Sequence, residues 1–158
     1  ESKFALEFAP LLSGQIQNLK LPSAAFGKIT HDLAGKNFVA VHLRLGDLSR
    51  SFDEESFREV VSRVKALHAD AILVLFTQNR DQLSLISPEV IKSFDEVVDS
   101  HTLTDPVETL ILMAKATHLV CAQSTFSWWA ALLQNSGQFE LYGRGDLEDL
   151  FHDLGMKH

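Results

Sequence analysis

Apolar positions along the chain alternate between two spacings. Phe38-Val39-Ala40-Val41-His42-Leu43 is a nearly unbroken β-branched and apolar run that leads into charged residues and glycine, the pattern of a strand covered on both faces. The same pattern recurs at Ala71 to Phe76, His118 to Ala122 and Phe139 to Tyr142, and more weakly at Glu96 to Val98. Between these runs the apolar positions take helical spacing, over Asp53 to Leu67, Arg80 to Lys92 with a break near Pro88, Pro106 to Ala116, Thr125 to Gln134 and Leu147 to Leu154. Asp53 with Ser56, and Asp105 ahead of Pro106, are start signals: an oxygen-bearing cap, then proline where its missing N–H costs nothing. Upstream, Phe4, Leu6, Phe8, Leu11, Leu12, Ile16 and Leu19 recur at roughly helical spacing interrupted by Pro10, and a further helix is predicted over Ser23 to Leu33. Parallel strands need crossover connections, so strands alternating with helices predict a doubly wound, mostly parallel five-stranded α/β sheet. The expected organisation is a helical preface over residues 1–35 and one α/β domain over 36–158.

Composition narrows the function. A chain of 158 residues with 46% apolar content can bury a core without disulfides or metals. Its formal net charge of −7 excludes a general nucleic-acid surface, which needs a basic stripe. Any anion must therefore be met locally. The lone Cys121 lies in an apolar run and reads as a buried structural thiol rather than a nucleophile. No apolar run approaches the roughly 20 residues that span a bilayer, and no signal pattern is seen at the start. The expectation is a cytoplasmic chain, or one of the Golgi lumen if it is trimmed from a longer protein. Dinucleotide, P-loop and zinc-protease motifs and cysteine pairs are all absent, so no metal site is expected.

Two segments carry chemistry, and in a doubly wound sheet both fall at the carboxyl ends of strands, where ligands bind. In His42-Leu43-Arg44-Leu45-Gly46-Asp47 the alternation along a strand points His42, Arg44 and Gly46 one way. Arg44 offers a planar donor fork to a phosphate, Gly46 lets backbone approach a ligand, and Asp47 can orient Arg44 or cap a turn. An ion pair at a strand end, with His42 a satisfied core residue, fits equally well. In Ser124-Thr125-Phe126-Ser127-Trp128-Trp129 hydroxyls and backbone N–H groups gather where a helix follows a buried strand, a ready anion site. The alternative is a plain cap with aromatic core packing. A third stretch, Asp105 to His118, is a helix whose Leu112 and Met113 read as core; Asp105 and His118 suit either a cap and a strand start or contacts to a base. The turn Gly143-Arg144-Gly145-Asp146 reads as solvated.

At these residues the chain resembles the α-1,2-fucosyltransferases. His42-Leu43-Arg44-Leu45-Gly46-Asp47 looks like their H-x-R-x-G-D motif, and Asp105 to Leu133, ending in Ser124-Thr125-Phe126-Ser127-Trp128-Trp129-Ala130-Ala131, looks like their D…LM…C-x-H…NSSFSWWAAWL block. The resemblance runs over roughly Phe38 to Tyr142. Within it Leu45 stands where the family has a second arginine, Thr77-Gln78-Asn79 where it has Ser-Asp-Asp, and Gln123-Ser124-Thr125 where it has Asn-Ser-Ser. No upstream Gly-Gly-Leu-Gly-Asn-like motif of an acceptor-side domain is found.

The resemblance implies the Rossmann-like, GDP-fucose-binding C-terminal half of a GT-B glycosyltransferase. Arg44 would hold the diphosphate of the donor and, with Asp47, serve catalysis without a metal. His42 and Gly46 would lie against the nucleotide, Asp105 and His118 would help recognise the base, Ser124, Thr125 and Ser127 would bind phosphate at the helix start, and Phe126 would line the donor site beside them. An inverting transfer also needs a general base, for which Asp47, Asp53 and Glu54 are the local carboxylates. No tightly bound cofactor is implied, GDP-fucose being the donor substrate and GDP the product. The implied partners are a nucleotide sugar and a glycan acceptor, with the acceptor-side domain or a second copy completing the protein. Two other functions stay open: a nucleotide-sugar-binding module without turnover, and a structural α/β domain that docks a partner.

Overall fold

The computed structural model describes residues 22–45, 52–122, 124–134 and 138–142. The sequence patterns at residues 4–19, 143–146 and 147–154 lie outside them.

The first described element is helix α1, Ala24–Leu33, capped by Ser23, whose hydroxyl accepts from the amide of Phe26 at 3.1 Å. It ends at a turn in which Gly35 takes φ of 72°, a left-handed conformation that glycine adopts without a Cβ penalty. Strand β1, Phe38–Leu43, is buried at every position. Helix α2, Glu54–Leu67, is capped by Asp53, and strand β2 is Ile72–Thr77. The predicted helix over Arg80 to Lys92 is two pieces: a 3₁₀ helix at Arg80–Leu85 and helix α3 at Pro88–Ile91. Proline has no N–H to continue the first and a fixed φ suited to start the second. Strand β3, Glu96–Val98, helix α4, Pro106–Ala114, strand β4, His118–Cys121, helix α5, Thr125–Leu133, and strand β5, Phe139–Leu141, follow.

Among the described residues the sheet has five strands in the order β3-β2-β1-β4-β5, and every described pairing is parallel. The expectation of a doubly wound α/β fold is met. Alternation along β1 sends Phe38 and Ala40 into a core shared with Phe26, Ile29 and Leu33 of α1, Leu112 and Met113 of α4 and Ala130 of α5. It sends Val39, Val41 and Leu43 to the opposite core, against Phe57, Val61 and Val64 of α2 and Val90 of α3. Cys121 is fully buried, and burial pushes its thiol far up, so it is a structural residue as predicted. The strand order reverses between β1 and β4, which opens a crevice at their carboxyl ends.

Candidate functional site

That crevice holds a cavity of about 420 Å³, within the size range of small-ligand pockets. Its wall includes His42 and Arg44 from β1 and the residues after it, and Ser124 and Phe126 from the start of α5. The register of β1 explains the pairing. His42 follows Phe38 and Ala40 on the face covered by α4 and α5, and Arg44 continues that side beyond the strand. Arg44 donates from a terminal guanidinium nitrogen to Ser124 Oγ at 3.3 Å. Ser124 Oγ in turn accepts from the amide of Phe126 at 3.2 Å, so the hydroxyl that caps α5 also meets the cation. A cation and a helix N-terminus thus converge at one rim.

His42 is 8% exposed. Its Nδ1 is hydrogen-bonded to the hydroxyl of Ser127, a residue with no exposed surface, and its ring lies 5.7 Å from that of Phe126, centroid to centroid. Its carbonyl accepts from the Tyr142 hydroxyl at 2.9 Å, tying the end of β5 to the end of β1. Burial, and secondarily the charge of Arg44, push the imidazole down to about 4. His42 is therefore a neutral ring at physiological pH.

The chain matches the family model of Glycosyl transferase family 11 over residues 21–152. It belongs to that family, the α-1,2-fucosyltransferases. A search of curated proteins returns no match. Among solved structures, the chain is similar to POFUT1 in complex with GDP, with a TM-score of 0.56 and 18% sequence identity. The match covers 84% of this chain and 49% of that one, so the chain spans about half the length of the protein it resembles. At that identity the likeness is one of fold.

In this family 11 chain the predicted site residues separate into groups. Arg44, His42, Ser124 and Phe126 are brought together on the cavity wall, and Ser127 stands behind His42. Thr125 is exposed in the first turn of α5. Asp105 adjoins the wall residues Thr104 and Pro106, but one carboxylate oxygen is spent capping α4, accepting from the amide of Val107 at 2.9 Å. His118 is not brought to the cavity. It opens β4 in register with Val39, near the amino-terminal edge of the sheet, where it stands 3.4 Å from a Glu140 carboxylate oxygen and lies against the His68 ring. Gly46 and Asp47 lie outside the described residues. Of the other carboxylates suggested as bases, Asp53 caps α2 and Glu54 accepts from the amide of Ser87 at 3.1 Å, and neither is on the cavity wall.

No site residue was predicted on the opposite wall, formed by Thr77 at the end of β2 and Gln78 after it, Asp99 and Ser100 after β3, and Thr104 and Thr109 around the start of α4; of these the sequence singled out only Thr77 and Gln78, as a departure from the family's Ser-Asp-Asp. The rule that ligands sit beyond carboxyl strand ends marks the first four of these. Asp99 is 4% exposed; burial raises its carboxyl, but bonds from the hydroxyl and amide of Thr102 and from Arg80 outweigh this and hold it below its ordinary value. Its Oδ1 accepts from the amides of His101 and Thr102 and from the Thr102 hydroxyl, and its Oδ2 accepts from Arg80 Nε at 2.8 Å. It shapes the wall as a saturated anion. Thr77 is 6% exposed, and among the described residues its hydroxyl has no hydrogen-bond partner.

Proposed function

We propose that this chain is the donor-binding part of an inverting fucosyltransferase, with GDP-fucose as the ligand of the cavity. The observation that carries the reading is the meeting of Arg44 and Ser124 at 3.3 Å on the wall of the cavity at the strand-order reversal. Family membership supports it, as does the fold shared with a protein whose structure holds GDP. In this reading the diphosphate lies against Arg44 and the amino end of α5, and the nucleoside extends toward Thr77, Gln78 and Ser100. When the bond between fucose C1 and the β-phosphate oxygen breaks, its electrons pass to that oxygen. The Arg44 guanidinium stabilises the resulting charge better than it stabilises the donor, which is how it lowers the barrier. The acceptor hydroxyl attacks C1 from the opposite face and gives its proton to a general base. Neither Asp53 nor Glu54 borders the cavity, so we assign the base to Asp47 or to the acceptor-side part of the protein.

Calorimetric titration of GDP and GDP-fucose into the chain and into Arg44→Ala, with EDTA present, tests the proposal. Saturable binding that weakens by about 1.5–3 kcal/mol in the variant, the scale of a lost charge-assisted hydrogen bond, is expected. A folded wild-type chain that binds neither ligand overturns it.

A further inference from the structure

We infer that Ser127 is a positioning residue: its hydroxyl donates to His42 Nδ1 and so holds the ring as the Nε2–H tautomer, presenting a neutral N–H donor to an anionic ligand in the cavity. The identity of that ligand rests on the donor reading above; the tautomer does not.

Ser127 is not on the cavity wall and has no exposed surface, yet its hydroxyl meets His42, the one polar side chain of β1, which is both buried and on the wall. A buried hydroxyl costs stability unless it is paired, so its place in the otherwise apolar inner face of α5 with Ala130 and Ala131 calls for a partner, and His42 is that partner. A neutral imidazole has one donor nitrogen and one acceptor nitrogen, and the bond made by one fixes what the other offers. If Nδ1–H donates to Ser127, Nε2 is left with a lone pair; if Ser127 donates to Nδ1, Nε2 carries the proton. Neither ring nitrogen makes another hydrogen bond among the described residues, so the choice lies with Ser127 and with what enters the cavity.

The neighbours favour the second arrangement. Arg44 has only donors, and Ser124 at the start of α5 brings a helix N-terminus to the same rim. A ligand drawn there offers oxygen lone pairs, which an Nε2 lone pair would repel and an Nε2–H would bind. A doubly protonated ring, which would donate from both nitrogens without help from Ser127, is disfavoured by burial and by the Arg44 charge, which push the imidazole down to about 4. The Phe126 ring, 5.7 Å away, limits rotation that could exchange the two nitrogens.

The test uses the full chain with ¹⁵N-labelled histidine, reading the His42 tautomer at pH 7 by two-bond ¹H–¹⁵N correlation and GDP affinity by calorimetry, in wild type, Ser127→Ala and Ser127→Thr. The expected result is Nε2–H in the wild type and in Ser127→Thr, a mixed tautomer in Ser127→Ala, and GDP binding weakened about tenfold in Ser127→Ala and restored in Ser127→Thr. A wild-type ring protonated at Nδ1, or a Ser127→Ala chain with unchanged tautomer and affinity, overturns the inference. If Ser127→Ala does not fold, the wild-type spectrum and the threonine variant decide. If the wild type shows Nε2–H that is lost in Ser127→Ala but binds no GDP, the positioning role stands and the donor reading fails.

Discussion

Replacing Arg44 by lysine keeps a positive charge at the cavity but loses the planar fork. The expected GDP affinity lies between wild type and Arg44→Ala, because a point charge retains attraction without bidentate geometry. Equal affinity for Arg44→Lys and wild type, measured by calorimetry, would contradict a fork-like grip on the diphosphate. His42 gives a prediction about acid stability. Its folded pKa is about 4 against about 6.5 unfolded, so between those values the unfolded chain binds the extra proton and stability falls as pH falls. From pH 7 to pH 5 this group alone should remove about 2 kcal/mol. Urea unfolding of wild type and His42→Gln at the two pH values measures it: the wild type should lose more stability on acidification by about that amount, and parallel losses would show that His42 is not buried neutral.

Among the elements, the two oxygen caps at the starts of α2 and α5 make a matched pair. Asp53 accepts from the amides of Glu55 and Ser56 at 3.0 and 3.2 Å and lies off the cavity; Ser124 caps α5 and borders it. Asp53→Ala should cost about 1 kcal/mol of stability and leave GDP affinity unchanged, whereas Ser124→Ala should lower both stability and affinity. Chemical denaturation with calorimetry on the same preparations separates the two effects. The elements also show what was legible in the sequence. Strands β1, β2 and β4 are nearly unbroken apolar runs because both faces of the sheet are covered. The split at Pro88 follows from proline chemistry, though periodicity alone reads Arg80 to Lys92 as one helix. His118 shows the limit. Asp105 and His118 are neighbours in one motif-bearing stretch, yet α4 starts at the rim and carries the chain back along the sheet by about 13 Å for its 9 residues. One end of that stretch borders the cavity and the other opens β4 at the far edge. The wall at the ends of β2 and β3 was not predicted for a different reason: Thr77, Gln78 and Ser100 are small or neutral polar residues that carry no spacing signal, Thr77 and Gln78 stood out only as a departure from the family's Ser-Asp-Asp, and the topology is what gathers them.

At the scale of the whole molecule, α1 is joined to the rest through a carboxylate as well as through its apolar face. Glu108 on α4 accepts from the amide and the hydroxyl of Ser23 at 2.6 and 2.7 Å, so the cap of α1 is itself held by α4. Glu108→Ala should destabilise the fold by about 1–2 kcal/mol, with Glu108→Gln costing less because it keeps an acceptor oxygen. Thermal unfolding orders the three chains; a Glu108→Ala protein as stable as wild type would show that α1 is held by Phe26, Ile29 and Leu33 alone. Among the described residues the sheet is bounded by β3 and β5, each of 3 residues, while the 6-residue β1 and β2 lie inside. Brief outer strands offer little template for edge-to-edge growth. The folded state thereby keeps Ile72-Leu73-Val74-Leu75-Phe76, an uncharged β-prone segment without proline, away from other chains. Loss of a short border strand is then the event that exposes it, so self-association on heating is governed by how often the sheet frays at its margins and less by its strong centre.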